Sequence, residues 1–214
     1  SGWMLLNYNK PVQVSSTLGG YQPNFAVDED MKTYWSAKSG NKGEWFQTDL
    51  GETATINAIQ INYADQDATF TGKSLGVFHQ YKIYGSLDGK KWKVIVDKSN
   101  NTTDVPHDYV ELSKPFKARY IKMINVHNAS GLFAISDFRV FGNGLSEKPK
   151  AVSSFKVDRN KTDSRNAVIS WKKQNDAVGY NIYYGIEPDK LYNSIMVYGD
   201  NSYDFRGLDK GTKY

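Results

Sequence analysis

Apolar and polar residues alternate with a period of two along nearly the whole chain, interrupted by Gly, Asp and Asn turns, and helical periodicity is almost absent. In Thr55–Tyr63 the side chains of Ile59, Ile61 and Tyr63 fall on one face. Tyr81-Lys82-Ile83-Tyr84-Gly85-Ser86 runs through Leu87-Asp88-Gly89-Lys90 into Trp92-Lys93-Val94-Ile95-Val96, a hairpin with an Asp-Gly turn signal. Arg119 to Asn125 alternates again, and Phe138, Val140 and Gly142 close the series. Strands of this length and spacing predict an all-β protein built on an antiparallel sandwich. A stretch with two Gly, a Pro and charges follows, and a second strand-rich region then begins at Phe155. We therefore expect a first domain over 1–143, a linker over 144–150 and a second domain over 151–214.

Composition excludes several functions. The net charge is only +4 and the basic pairs Lys90-Lys91, Lys148/Lys150 and Lys172-Lys173 are scattered, which argues against nucleic acid as a partner. There is no Cys, so disulfides, zinc-thiolate centres and cysteine catalysis are ruled out. No apolar run approaches the ~18 residues of a membrane span. No His-Glu-x-x-His or nucleophile-elbow unit surrounds His79, His107 or His127, for which structural hydrogen bonding is the expectation. The opening Ser1-Gly2-Trp3-Met4 reads as an excised start with a tag remnant.

One loop carries inorganic chemistry. Phe25-Ala26-Val27-Asp28-Glu29-Asp30-Met31-Lys32-Thr33-Tyr34-Trp35 sets carboxylates and a hydroxyl along a short polar segment that ends at a Trp. Oxygen-only donors of this kind suit a hard cation such as Ca²⁺. About a hundred residues on, Asp137 sits inside the apolar stretch Ala134–Gly142. If the two segments meet, one ion ties the start of the domain to its end. The plain alternative is a turn whose Asp and Thr cap backbone amides.

Residues of roughly 7–142 resemble a discoidin domain, the coagulation-factor type C fold shared by carbohydrate-binding module family 32. The resemblance rests on Ala26–Asp30 with Thr33-Tyr34-Trp35, Glu44–Gly51, Ile59-Gln60-Ile61, Tyr81–Ser86 with Asp88-Gly89 and Trp92, Ala118–Lys122, and Asp137–Gly142. It implies a jelly-roll sandwich. It also implies a structural Ca²⁺ held by the side chains of Asp28, Thr33 and Asp137 and by carbonyls of Phe25, Asp30, Thr33 and Ser136. The family usually has Glu where this chain has Asp137; the shorter side chain leaves room for water in the shell. The second region resembles a fibronectin type III domain through Val168-Ile169-Ser170-Trp171, Val178–Tyr184 and Leu208–Tyr214. That implies a partial immunoglobulin-like sandwich, truncated before its last strands. Asn62–Asp67, Asp104–Tyr109 and Asn125-Val126-His127 look like modules attached to glycoside hydrolases of gut Bacteroidetes.

In the family, loops at one end of the sandwich bind sugar, an aromatic ring stacking on the pyranose while polar groups address hydroxyls. The matching loops run from Tyr63 to His79 and from Val126 to Phe133, with Asp65, Phe70, Phe78, His127, Asn128 and Phe133 as candidate ligand contacts, and Gln66, Asp67, Lys73, Ser130 and Leu132 beside them. Neither loop holds an Arg, which argues against galactose specificity. The alternative is that Phe70, Phe78 and Phe133 close the end of the core.

The expectation is a non-catalytic carbohydrate-binding module with a spacer. It would target an exported, extracytoplasmic bacterial glycoside hydrolase to an oligo- or polysaccharide, with the parent's catalytic domain as a further partner. The competing reading is a structural or adhesion module that docks on protein and binds no sugar. An enzyme using Asp65 and Asp67 lacks two carboxyls shown to face each other across a bond.

Overall fold

The computed structural model describes residues 2–68, 77–144, 150–175, 177 and 179–214. The chain forms two compact units, Ser1–Ser146 and Glu147–Tyr214. Among the described residues no helix is long and apolar enough to cross a membrane.

The first unit contains β1 (Met4–Leu5), β2 (Val12–Val14), a short 3-10 turn at Pro23–Ala26, β3 (Trp35–Ser36), β4 (Trp45–Tyr63), β5 (Gln80–Ser86), β6 (Lys93–Asp97), β7 (His107–His127) and β8 (Ala134–Gly144). All pairings are antiparallel, in the order β1-β8-β4-β7-β5-β6, with β2 on β4 and β3 on β8. The two long strands make the sandwich. β4 pairs β7 from Trp45 to Asp49 and again from Ala54 onward, and the register slips between them. The first half of β4 joins the β2–β7–β5–β6 side and the second half joins β8. Phe46, Ile121 and Ile83 from one side share a core with Ile59, Ile61, Phe138 and Val140 from the other. The strand runs on past Gly51, which takes φ +82°, and the register slip between Asp49 and Ala54 absorbs the bend.

Local chemistry explains the expected hairpin. Gly89 takes φ +74°, where a Cβ would be strained, and the Asp88 carboxylate accepts from the N–H groups of Lys90 and Lys91. Those two amides hold the Asp88 carboxyl down at about 2. The start of the unit is pinned to its end by Asn7, whose side chain donates to the Phe138 carbonyl at 2.7 Å and accepts from the Val140 N–H at 2.9 Å.

The second unit holds β9 (Phe155–Arg159), β10 (Ala167–Trp171), β11 (Gly179–Tyr184), β12 (Asn193–Tyr198) and β13 (Ser202–Phe205). One sheet has the order β13-β10-β9 and the other pairs β11 with β12. Trp171, Ile182 and Val197 form its small core, and Trp171 meets Tyr180 edge-on at 5.0 Å.

Candidate functional site

The loop that follows the 3-10 turn folds back on itself. The Asp30 N–H donates to one Asp28 carboxylate oxygen at 2.9 Å, and the Thr33 hydroxyl donates to the other at 2.6 Å. The Thr33 N–H and hydroxyl both lie on the Asp30 carbonyl, at 3.2 and 3.1 Å. Glu29 between them adopts φ +58°. This conformation sends its carboxylate across the seam to Arg139 on β8, 2.8 Å away, and Arg139 also reaches Gln60 at 3.0 Å. Burial raises the Glu29 carboxyl; Arg139 pulls it back down, and the charges of Asp137 and Asp28 raise it further. The Glu29–Arg139 pair ties the Asp28 loop to the strand that carries Asp137, so the two segments singled out by sequence meet at this contact.

Asp137 is buried on β8, where the Asn62 amide donates to it at 3.1 Å. The neighbouring Ser136 hydroxyl donates to the Asn62 carbonyl at 3.1 Å. Among the described residues Glu29 has a cation in Arg139, whereas Asp28 and Asp137 have none. Two carboxylates without a counter-charge, beside hydroxyls and carbonyls, are a donor set that fits a hard divalent cation. No three His, Cys, Asp or Glu side chains among the described residues converge on one point. A shell here must therefore draw on carbonyls such as those of Phe25, Asp30 and Ser136, and on water.

The second site is the loop end. β4 begins and ends there, β7 begins and ends there, and β5 starts there, so several connections converge. They are zipped together by backbone. The Leu132 N–H donates to the Gln66 carbonyl at 2.9 Å, Phe133 N–H to Ser39 at 3.1 Å, and Ala37 N–H to Phe133 at 2.8 Å. Gly131 sits at φ +64° with the 66–68 segment against its Cα; a Cβ would lie 2.3 Å from the Gln66 carbonyl oxygen.

The candidate contacts part ways in this frame. Phe133 is fully buried, edge-on to Trp35 at 5.4 Å and 88°. It leaves the candidate ligand surface and joins the core, because its chain segment enters β8 with the ring on the inner face. Asn128 spends its amide nitrogen on the carbonyls of Ser130 and Leu132, at 2.7 and 3.0 Å, so that nitrogen shapes the loop rather than a ligand contact. Phe78 and His127 are half-buried with rings 4.9 Å apart, and Asp65 is exposed. Phe70 and Lys73 lie outside the described residues.

Of the histidines, His79 stacks on Tyr63 at 3.5 Å and 5°, and burial lowers its pKa to about 4. The Ala129 N–H approaches its Nδ1 at 3.4 Å. His107 is exposed and lies 3.1 Å from the Asn62 side-chain oxygen.

Sequence reasoning missed a second aromatic pair. Tyr21 and Tyr34 stack at 4.7 Å and 27°, and the Tyr34 hydroxyl donates to the Gln66 side-chain oxygen. Gln66 in turn donates to Asp67 at 3.2 Å. Burial, Tyr21 and Asp67 together push the Tyr34 phenol up to about 12. The signal available was the Thr33-Tyr34-Trp35 motif, whose Tyr points away from the core that Trp35 enters; nothing local marks Tyr21 as its partner.

The fold that carries these two half-buried aromatic pairs has counterparts among known proteins. The match to the F5/8 type C domain model covers residues 11–137. Mouse lactadherin is 30% identical over 102 residues, which is 44% of this chain and 21% of lactadherin, so the chain spans about a fifth of that protein. Chitosan-binding module 2 of the Paenibacillus sp. IK-5 chitosanase/glucanase, solved with chitotriose, superposes with a TM-score of 0.54 at 24% identity over 64% of this chain and 99% of that one. The Clostridium perfringens module CpGH89CBM32-5, in complex with GalNAc-β-1,3-galactose, gives 0.52 at 18% identity over 65% and 100%. The C. perfringens family 89 glycoside hydrolase gives 0.54 at 25% identity over 70% of this chain and 16% of that one. With more than half its length matched, this chain belongs to the F5/8 type C, or discoidin, domain family.

Proposed function

We propose that the first unit is a non-catalytic carbohydrate-binding module. The carrying observation is the loop end, where the 128–132 loop meets Gln66, which is bonded to the Tyr21–Tyr34 stack and to Asp67, and where Phe78 and His127 add a second half-buried ring pair. Flat rings accept the apolar face of a pyranose, and the side-chain amide and carboxylate beside them address its hydroxyls. The solved relatives that carry bound oligosaccharide support this reading. Burying ~100 Å² of ring against sugar contributes about 2–3 kcal/mol, enough for weak binding that tethering then amplifies. The module would serve an exported glycoside hydrolase, bringing its catalytic domain to polysaccharide outside the cytoplasm. The second unit, read as a fibronectin type III-like spacer with Trp171 as its core Trp, would set the distance.

Ca²⁺ is the ion that fits the seam. Asp28, Thr33 and Asp137 would hold it by side chains, and Phe25, Asp30, Thr33 and Ser136 by carbonyls. It would supply charge compensation for the two unpaired carboxylates and perform no chemistry on a ligand. Calcium at ten times its Kd is expected to stabilise the wild-type chain by about 1.4 kcal/mol and Asp137→Ala by nothing measurable. Calorimetric melts in EDTA and in calcium check this.

The sugar reading is tested by a glycan array followed by titration calorimetry. Tyr34→Ala and Phe78→Ala are each expected to weaken the best oligosaccharide about tenfold with the melting temperature of the first unit preserved. An array without a single neutral hit would leave protein docking as the better account.

A further inference from the structure

Away from the loop end, the outer face of the β2–β4–β7–β5–β6 side has its own chemistry. Phe46, Met123 and Ile83 point inward and are buried, so their neighbours Gln47, Lys122 and Tyr84 point outward. Register places Gln13, Gln47, Lys122, Tyr84 and Val94 in one row across five strands. At about 4.8 Å per strand that row is roughly 19 Å long. The Lys122 ammonium lies 4.7 Å from the Trp45 ring and 4.6 Å from the Trp92 ring. All three side chains are half-buried, so each still meets solvent.

The charges on this face are uneven. Lys82 pairs with Asp97 and Arg119 with Asp49. Lys122 has no carboxylate partner among the described residues. The turn carrying Trp92 adds exposed Lys90, Lys91 and Lys93, and its acid, Asp88, is taken up by backbone N–H groups. A cation held between two indoles without a counter-ion is a strong point of attraction for an anion that arrives on a flat, ring-shaped carrier.

We propose that this sheet face is a second binding surface, for an acidic polysaccharide. The Trp45 and Trp92 rings would border pyranose units, Lys122 would meet a carboxylate or sulfate ester, and Gln13, Gln47 and the Tyr84 phenol would address hydroxyls along the chain. An extended polymer suits a row that spans five strands, whereas the loop end suits a terminal or short glycan. The proposal rests on the carbohydrate reading but on none of the loop residues, so the two fail independently. Single-stranded nucleic acid is the rival occupant of an aromatic and basic face; the low net charge of the chain and the amide-rich row favour sugar.

The test is affinity electrophoresis and calorimetry of the full 214-residue chain on polygalacturonate, dextran sulfate, neutral galactan and a thymidine oligonucleotide. Lys122→Met, which keeps an apolar stem between the indoles, and Trp92→Ala are each expected to weaken polyanion binding at least tenfold. Binding should fall steeply with salt, and Tyr34→Ala should leave it unchanged. The ratio of polygalacturonate to dextran sulfate affinity assigns the anion as uronate or sulfate ester. Polyanion binding that is absent, or unaffected in both sheet variants, overturns the proposal, and so does tighter binding of the oligonucleotide than of either glycan. Loss of neutral-glycan binding in Tyr34→Ala alone reports on the loop end and leaves the sheet face standing.

Discussion

Phe133→Ala is expected to cost about 3–5 kcal/mol of stability, the largest single effect we foresee. The ring is wholly enclosed, edge-on to Trp35 and 6.5 Å from Tyr63, in a core that continues through Phe46 and Phe138. Removing it leaves a cavity that these rings can fill only by leaving their own contacts. The surrounding backbone resists collapse, because Phe133 is held on both sides, its N–H on Ser39 and its carbonyl on Ala37. Urea titration of the first unit reads the cost directly. A loss below about 1 kcal/mol would mean that the ring is peripheral and would return Phe133 to the ligand surface. Any drop in sugar affinity of this variant must be set against its fraction folded, since the same residue anchors the 128–132 loop.

Phe133 also shows where sequence ceases to be informative. Period-two alternation and the Asp-Gly turn place the β5–β6 hairpin within a residue or two, because both signals are local. The Asp28 loop and Asp137 stand out for a different reason: carboxylates in a polar loop and in an apolar strand suggest a common ion, whereas the contact that joins the two segments in the folded chain, Glu29 with Arg139, has no local signal. Whether a loop aromatic faces sugar or core depends on neighbours from other loops. Phe133 goes inward because Trp35 and Tyr63 are already there, and Phe78 stays half-exposed beside His127. Tyr21 and Tyr34 stack across thirteen residues, and Lys122 meets Trp45 and Trp92 only through strand register. Such pairings are consequences of the folded sheet order, which alternation alone does not specify. The bend in β4 is of the same kind: the register slip between Asp49 and Ala54 carries the strand onto the opposite layer, and no local pattern marks it.

Acid is expected to weaken the first unit through His79. In the folded chain this imidazole titrates near pH 4, because burial against Tyr63 disfavours its charged form, whereas an unfolded His titrates near 6.5. Between those values the unfolded chain binds the additional proton. The stability that His79 contributes is therefore complete above about pH 6.5, is lost as pH falls through the window, and changes little more below about pH 4. Between pH 7.5 and 4.5 the linkage amounts to about 2.5 kcal/mol. Glu29 opposes this: its carboxyl is raised in the folded state, so the folded chain takes up that proton more readily as pH drops. Asp49, Asp88 and Asp97, whose carboxyls are lowered in the folded chain, add to the loss instead, so the measured fall combines contributions of both signs with that of His79. His79→Phe keeps a ring on Tyr63 and removes the titration, so wild type and variant compared at the two pH values isolate the histidine. The variant is expected to lose clearly less stability on acidification. Equal losses in the two proteins would place the acid sensitivity elsewhere and would mean that His79 is more open to water than its stack on Tyr63 implies.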